Sequence, residues 1–292
     1  MRLATVHLPD SADDSADRTA AVRIDDEAAT TGTVIAGVSD VGDLLSRPDW
    51  RTVAGAADGP TVPVEQLARL IPRPGKVACV GLNYRAHIEE MGRPLPEYPT
   101  LFAKFADALI GPADDIEIPA TAAEAVDWEC ELVVVVGATV RGADRAEAQQ
   151  AIAGYTIMND VSMRDWQFRT REWLQGKTFG NTTPVGPVLV TADEWRPGPT
   201  ITTEIDGETV QQASTGDLVF DPADLVAYLS QIVTLRPGDL IATGTPGGVG
   251  HARKPPRYLT PGMTVRTTID GIGTLQNACV AVDGQGRRAG TS

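Results

Sequence analysis

Cysteine is scarce in this sequence, and its three copies stand far apart, as Cys79, Cys130 and Cys279. None of them has the short spacing to another cysteine or to a histidine that zinc sites use. An odd number of isolated thiols flanked by apolar residues is typical of buried free cysteines in a reducing compartment. The pattern therefore argues against a disulfide framework and favours a cytoplasmic location.

Long hydrophobic runs are absent as well. No stretch approaches the roughly 18 apolar residues that a membrane-spanning helix requires. The first residues, Met1 to His7, lack the apolar run that a signal peptide carries. From these absences we expect a soluble protein with no membrane partner.

Positive charge is the third deficit. The chain has 25 Lys and Arg against 39 Asp and Glu, which gives a formal net charge of −14. Nucleic acids and anionic membranes are bound through basic faces, so neither is expected as a partner. A small anionic substrate in a locally positive pocket remains compatible with this charge.

The rest of the composition is that of a folded protein. Hydrophobic residues make up 42% and charged residues 22% of the 292 residues, as in soluble domains with a large core. Pro72 and Pro74 interrupt the chain, because proline neither continues a helix nor donates to a strand ladder. We place a domain boundary there, with a small N-terminal α/β domain over 1–72 and a larger domain over 73–292.

The N-terminal part alternates short apolar segments with acidic ones. Val6, Val22 and Ile24 predict strands of a small antiparallel sheet, and the acidic residues around Asp13 lie in its loop. Leucines at positions 44–45 and at 67 and 70 predict short helices.

Strand signals dominate after residue 75. Short β-prone runs are bounded by Gly, Pro or Asn, and the Asp-Gly pairs at 206–207 and 270–271 predict hairpin turns. One helix is predicted from Asp144 to a stop at Gly154. Another begins at Asp221 and has its apolar stripe at positions 225, 229 and 232. Because strands outnumber helices without alternating with them, the pattern favours a β-rich α+β fold over a Rossmann sheet or a TIM barrel.

The first candidate for chemistry is the segment from Asp127 to Glu131, which precedes the aliphatic run 132–136. The run predicts a buried strand, and the two-residue period places Glu129 and Glu131 on one face. Carboxylates beside a core need a positive partner, and a hard divalent cation such as Mg²⁺ or Mn²⁺ would supply it. A solvated strand end is the alternative. Asp160 ends another apolar segment and joins this site only if the fold brings it close.

The second candidate is the segment from Asn83 to Gly92, where we expect a helical turn that the glycine ends. His87 and Glu90 stand three positions apart and so share a helix face. There the carboxylate would orient the imidazole and raise its basicity, as a general base acting on water requires. An exposed surface pair is the alternative.

Side chains that could hold an acidic substrate form a third set: Lys104, Arg164, Gln167 and Lys177. The glycine-rich turn from Thr243 to Gly250 could offer its amides to a carboxylate, although a plain tight turn is equally compatible. It is not a P-loop, because no Gly-Lys-Ser/Thr follows. His251, beside Arg253 and Lys254, is expected to face solvent.

Taken together, these segments resemble the fumarylacetoacetate hydrolase family, specifically its shorter bacterial members that act on acylpyruvates and related 2-oxo acids. The resemblance covers about residues 75–282, with five motifs in the family's order. They are Gly75-Lys76-Val77 with the 83–91 segment, Asp127 to Glu131, Asn159-Asp160 with Arg164 to Gln167, Gly176-Lys177, and Thr243 to Pro246.

The resemblance implies a mixed β-sandwich roll as the catalytic domain of a homodimer, with one Mg²⁺ or Mn²⁺ per subunit. In this interpretation His87 and Glu90 activate water, and Lys177 stabilises enolate charge. Two features depart from the family pattern: Cys130 replaces an aliphatic residue between the glutamates, and the acidic insertion around Asp13 is additional. The implied site residues are Glu129, Glu131 and Asp160 for the metal, His87, Glu90 and Lys177 for catalysis, and Arg164, Gln167, Thr245, Tyr84 and Lys104 for substrate contact.

The activity implied first is metal-dependent hydrolysis of the C3–C4 bond of a 2,4-dioxo acid, such as an acylpyruvate or fumarylpyruvate from aromatic catabolism. The products are pyruvate and a carboxylic acid. Decarboxylation of oxaloacetate and tautomerisation or isomerisation of a 2-hydroxydienoate use the same enolate, so they stand as alternatives. A non-catalytic ligand-binding protein on the same fold is the remote alternative, disfavoured because His87, Glu90, Lys177 and the carboxylates are all present.

Overall fold

The computed structural model describes residues 1–8, 18–26, 30–90 and 92–288, with the backbone alone at Glu90. The acidic stretch around Asp13 lies outside the described residues. In the part of the chain that is described, no helix combines the length and apolar character needed to cross a membrane.

The described strands and helices follow one another along the chain with short connections. The strands are β1 (Arg2–His7), β2 (Thr19–Ile24), β3 (Thr31–Val34), β4 (Thr61–Pro63), β5 (Val77–Gly81), β6 (Thr100–Lys104), β7 (Leu109–Ile110), β8 (Ile116–Pro119), β9 (Val126–Asp127), β10 (Cys130–Val136), β11 (Ile152–Asn159), β12 (Ser162–Met163), β13 (Thr183–Thr191), β14 (Thr200–Ile205), β15 (Glu208–Ser214), β16 (Leu240–Ala242), β17 (Thr264–Ile269) and β18 (Gly273–Val282). The α-helices are α1 (Val41–Leu45), α2 (Trp50–Gly55), α3 (Arg85–Glu90), α4 (Arg145–Gln150), α5 (Arg164–Gln167), α6 (Leu174–Lys177) and α7 (Pro222–Ile232). Short 3-10 helices lie at Ala106–Ala108, Ala120–Ala122 and Gly250–Ala252.

Most of these strands belong to one large mixed sheet. Its order is β4-β3-β2-β1-β13-β11-β10-β16-β5-β6, and β7 pairs with β13. A second sheet has the order β15-β14-β17-β18-β8, and β9 pairs with β12. β13 of the first sheet packs against β18 of the second. The predicted β-rich α+β fold is confirmed.

The large sheet contains strands from both sides of residue 72. β1 pairs antiparallel with β13, so that Leu3 lies opposite Leu189. A core cluster joins side chains from both parts of the chain, among them Leu3, Leu45, Val133 and Leu189. The domain boundary at residue 72 stays a prediction, and the sheet is continuous across it.

Local sequence signals account for several elements. β1 and β2 pair antiparallel where the alternation predicted strands. Asp144 and Asp221 begin α4 and α7, each in a capping box. The two Asp-Gly pairs form the β14–β15 and β17–β18 hairpins. Every residue of β10 is buried, as the aliphatic run predicted, and the three cysteines are free and buried.

The helix predicted at residues 67–70 is wrong, because tertiary contacts use this backbone differently. Leu67 forms an antiparallel bridge with Val6 of β1. The carbonyl oxygen of Leu70 accepts a hydrogen bond from the Thr5 hydroxyl at 2.8 Å. The segment is therefore extended along β1 instead of coiled.

The helix stop predicted at Gly154 is also wrong. α4 ends earlier, and Gly154 lies inside β11. A Cβ atom at this position would stand 2.0 Å from the carbonyl oxygen of Val190 on the neighbouring strand. The glycine is explained by this close approach of two strands.

The apolar stripe predicted for α7 is buried at Leu225 and Leu229. Its last residue, Ile232, ends the helix and is 53% exposed.

Candidate active site

Three carboxylates meet where β10 and β11 pair. Glu129 comes one residue before β10, Glu131 lies within it, and Asp160 directly follows β11. The Asp160 amide donates a hydrogen bond to the Glu129 carbonyl at 2.7 Å. One oxygen from each carboxylate lies within 4.8 Å of the other two. The fold thus brings the predicted glutamate pair and Asp160 together, and all three are buried.

Two buried lysines contact these carboxylates. Lys177, at the end of α6, places its Nζ 2.6 Å from Glu129 Oε2 and 2.7 Å from Asp160 Oδ2. Lys104, at the end of β6, places its Nζ 2.7 Å from Asp160 Oδ1. Burial alone would raise the pKa of Asp160, but the two ammonium groups lower it to about 2. Burial alone would lower the pKa of Lys177, but Asp160 and Glu129 raise it above its ordinary value.

Glu131 is the carboxylate that the lysines do not contact. The Gly244 amide donates to its Oε2 at 2.8 Å, and Glu131 forms no ion pair with any described residue. Burial, followed by the charges of Asp160 and Glu129, raises its pKa well above the ordinary value. A cation near Glu131 would offset this desolvation and repulsion. Since the donors are all carboxylate oxygens, the three residues fit a hard divalent cation and could hold one.

Arg164 begins α5 and is buried among polar groups of the protein. Its Nε donates to Asp127 Oδ2 at 2.8 Å, and its Nη1 donates to Gln167 Oε1 at 2.9 Å. Its Nη2 lies 2.6 Å from Glu129 Oε1. Burial would lower the pKa of Arg164, but Glu129 and Asp127 raise it above its ordinary value. Arg164 is therefore held beside Glu129 by three polar side chains of the protein.

A cavity of about 770 Å³ opens onto two of the carboxylates. Aromatic side chains form part of its wall, including Phe102 and Trp173, whose rings pack edge to face at 5.4 Å. The cavity therefore combines an apolar surface with charged groups, as ligand sites do. Of the predicted site residues, those that line it are Glu129, Glu131, Lys177, Arg164, Gln167, Thr245 and His87.

The other predicted site residues are placed differently. Asp160 and Lys104 are buried and do not line this cavity. Tyr84 is also buried, and its hydroxyl has no hydrogen-bond partner among the described residues. With His87 it lines an adjacent pocket of about 230 Å³. The side chain of Glu90 lies outside the description, so the His87–Glu90 dyad stays a prediction.

Sequence reasoning missed the segment that follows the glycine-rich turn. His251 and Lys254 are exposed, as expected, but together with Arg253 they line the cavity and do not simply face bulk solvent. The His251 ring lies 5.1 Å from that of Phe168, which is also on the cavity wall. The signal available in the sequence was their position directly after the Thr243 to Gly250 turn. That turn follows β16, which ends beside the beginning of β10, where the carboxylates lie.

Gln211 of β15 is a second residue that the sequence did not indicate. Its Nε2 donates to Thr245 Oγ1 at 2.9 Å and to the Pro246 carbonyl at 3.0 Å. Its Oε1 accepts hydrogen bonds from the Cys130 amide at 3.2 Å and the Thr203 hydroxyl at 3.0 Å. Gln211 thereby ties the glycine-rich turn to the strand that carries Glu131, across a separation in sequence that no local pattern reveals.

The chain is similar in sequence and in structure to known proteins. The sequence pattern of the fumarylacetoacetate (FAA) hydrolase C-terminal domain matches residues 76–280. A mitochondrial oxaloacetate tautomerase of Homo sapiens is 43% identical over 231 residues, which cover 77% of this chain and 73% of that protein. The structure of 5-carboxymethyl-2-hydroxymuconate delta-isomerase from Mycobacterium smegmatis has a TM-score of 0.78 and 35% identity, covering 97% of this chain and 99% of that chain. Fumarylacetoacetate hydrolase from Exiguobacterium antarcticum has a TM-score of 0.84 and 30% identity, covering 97% of this chain and 100% of that chain.

Proposed function

The chain belongs to the fumarylacetoacetate hydrolase family of enzymes, and on that basis we propose that it catalyses metal-dependent tautomerisation or isomerisation of 2-oxo acids. Oxaloacetate is the first substrate to test. The names of the human relative and the Mycobacterium structure, a tautomerase and an isomerase, support this choice. Both types of reaction move a proton through an enol or enolate, and neither consumes water or an oxidant.

The observation that carries the proposal is the position of Lys177. Its buried ammonium group lies on the cavity wall and contacts both Glu129 and Asp160. When a proton leaves the carbon beside a 2-oxo group, negative charge develops on the oxygen. An ammonium group already fixed next to that oxygen stabilises the charge without reorganising. Held by the three carboxylates, Mg²⁺ or Mn²⁺ would supply Lewis-acid polarisation of the 2-oxo group.

His87 is the residue that we assign to proton transfer. It lines the same cavity as Lys177, and an imidazole takes up and releases protons near neutral pH. In the ketonisation of enol-oxaloacetate, the enol oxygen loses a proton and C3 gains one, so that no proton is consumed overall. A single base that takes a proton and returns one satisfies this balance.

The tautomerase assay follows the ultraviolet absorbance of enol-oxaloacetate in the presence of Mg²⁺ or Mn²⁺. We expect the protein to accelerate ketonisation and EDTA to abolish the acceleration. His87→Gln should lower the enzymatic rate by about 10²–10⁴-fold, the usual contribution of general acid–base catalysis. His7→Gln replaces a histidine outside this cavity and should leave the rate unchanged. Ketonisation no faster than in buffer, with metal-loaded protein, would contradict the proposal.

Hydrolysis of an acylpyruvate is the second candidate function, and the place of His87 on the cavity wall favours it. A base there could take a proton from water while the water oxygen bonds to C4. The C3–C4 bond would then break, and pyruvate enolate would leave beside Lys177. Pyruvate release from an acylpyruvate, without tautomerase activity, would select hydrolysis. Pyruvate release from oxaloacetate is measured in parallel, because decarboxylation generates the same enolate.

A further inference from the structure

We propose that this cavity selects 2-oxo acids that carry a second, distal carboxylate, and that Arg253 and Lys254 bind that carboxylate. The inference rests on the proposed function, since it defines the substrate class of the same site. It follows from the distribution of charge on the cavity wall and from the partners of each charged group.

Positive side chains outnumber acids on this wall. The carboxylates that line the cavity are Glu129 and Glu131, whereas the cationic side chains are Arg164, Lys177, Arg253 and Lys254. The whole chain has a net charge of −14, so a typical part of its surface carries more acid than base. A local excess of positive charge in a concave site attracts anionic ligands.

Two of the four cations are already matched by carboxylates of the protein. Lys177 lies between Glu129 and Asp160, at 2.6 and 2.7 Å. Arg164 lies 2.8 Å from Asp127 and 2.6 Å from Glu129. These contacts fix the acidic centre, but they leave no unmatched charge on either side chain for a second substrate carboxylate.

Arg253 and Lys254 have no such close partners. Lys254 is exposed and forms no hydrogen bond or ion pair with a described residue. Arg253 donates through Nη2 to the Val210 carbonyl at 3.1 Å, and its Nη1 is 3.8 Å from Glu208 Oε1. Its Nε is buried and has no hydrogen-bond partner in the described part of the chain. A carboxylate in the cavity would bind the Nη atoms, since Nη1 has no acceptor within hydrogen-bond distance among the described residues.

The segment that carries these cations is anchored to the acidic centre through Asp127. The amides of Gly250 and His251 donate to the Asp127 carboxylate at 2.7 and 3.0 Å. The same carboxylate binds Arg164, which contacts Glu129. The backbone just before the basic pair is therefore anchored beside the carboxylates. A substrate bound at both places would be held at both ends.

The kinetic test compares oxaloacetate with phenylpyruvate, a monocarboxylic 2-oxo acid whose enol is followed by the same absorbance assay. In Arg253→Gln/Lys254→Gln, we expect KM for oxaloacetate to rise about 10- to 100-fold, as for loss of hydrogen bonds between charged groups. Neither kcat nor the KM for phenylpyruvate should change appreciably. Arg253→Lys should restore part of the loss. Lys254→Gln alone replaces an exposed side chain, so its smaller rise in KM is measurable even if Arg253→Gln disturbs folding.

A matched control and a binding measurement separate this inference from the proposed function. Arg266→Gln removes one exposed positive charge outside the cavity and should leave both KM values unchanged.

Malate and lactate differ by the distal carboxylate and cannot tautomerise, so calorimetric titration measures their binding without turnover. We expect metal-loaded protein to prefer malate, and the double variant to lose that preference. Preference for malate without any turnover would contradict the proposed function alone. Turnover of oxaloacetate with an unchanged KM and an unchanged malate preference in the double variant would overturn this inference alone.

Discussion

Glu131 is the carboxylate of the site that has no cationic side chain of the described protein in contact with it. In the absence of metal, burial and the charges of Asp160 and Glu129 raise its pKa well above the ordinary value. The unfolded chain therefore releases this proton at a lower pH than the folded protein does. The contribution of Glu131 to stability is complete below the ordinary glutamate pKa and is lost as the pH rises through the raised one.

The substitution Glu131→Gln should consequently have opposite effects without and with metal. In EDTA at neutral pH it removes a buried, unpaired carboxylate, and we expect the melting temperature to rise by about 2–4 °C for each kcal/mol gained. With saturating Mn²⁺ the wild type should become the more stable protein, because the cation binds the folded state through three carboxylates. Thermal unfolding followed by circular dichroism in both buffers tests this crossover.

Glu204→Gln is the control for this experiment. Glu204 lies on β14 in a partly exposed pair with Arg266, so its substitution should change the melting temperature equally with and without metal. Equal stability of Glu131→Gln and wild type in both buffers would show that Glu131 is not a metal ligand.

Residue types were predictable from the sequence in this site, whereas their partners were not. The chain itself marks Glu129 and Glu131 as carboxylates entering a buried strand. That Lys104 contacts Asp160, or that Gln211 holds Thr245, depends on strand pairings between segments far apart in sequence. His251 is exposed as expected, but its place on the cavity wall beside Arg253 and Lys254 was not predictable for the same reason.

At the scale of elements, strand β11 has one position that tolerates glycine alone. A Cβ at Gly154 would meet the Val190 carbonyl oxygen at 2.0 Å and the Thr191 Cα at 2.8 Å. Both are backbone atoms of β13 and cannot move aside as a flexible side chain would. Gly154→Ala should therefore separate β11 from β13 and lower the free energy of unfolding by about 1–3 kcal/mol or more.

Gly55→Ala provides the matched control for this prediction. Gly55 ends α2, and a Cβ there would meet no atom within 4 Å. Alanine in a helix is preferred over glycine by roughly 0.5–1 kcal/mol, so this variant should be as stable as the wild type or slightly more so. Urea unfolding of both variants is the measurement. A Gly154→Ala protein as stable as Gly55→Ala would contradict the close approach of the two strands.

The elements that the sequence predicted well are those fixed by local chemistry. Asp144 and Asp221 cap helices through their own side chains. Asp206 and Gly207 form a hairpin turn because these residue types tolerate the positive φ angles that the turn requires, here 51° and 85°. Gly154 and the segment 67–70 were misjudged because a neighbouring strand determines their backbone. A single sequence records that a glycine is present, but it does not record which strand approaches it.

At the scale of the whole molecule, the two parts of the chain share one core. The family match begins at residue 76, yet β1 to β4 continue the sheet that β13 and β11 belong to. Half of the buried side chains in one core cluster come from residues before 72 and half from residues after it. Pro72 and Pro74 do not reveal that the two parts pack into a common core cluster. A proline interrupts helices and strand ladders in the backbone, but it does not prevent side chains on either side of it from packing together.

A chain that begins at residue 73 should therefore fail to fold into a stable unit. It would expose the edge of β13 that pairs with β1, and it would uncover Leu189, Val133 and their neighbours. Burial of one leucine-sized side chain contributes roughly 1.5–3 kcal/mol, whereas the net stability of a protein is about 5–15 kcal/mol, so losing half of a core cluster exceeds that margin. We expect aggregation in size-exclusion chromatography and no cooperative urea transition, with recovery of both when residues 1–72 are co-expressed as a separate chain. A monodisperse 73–292 chain that unfolds cooperatively would show instead that the boundary at residue 72 separates two units that fold independently.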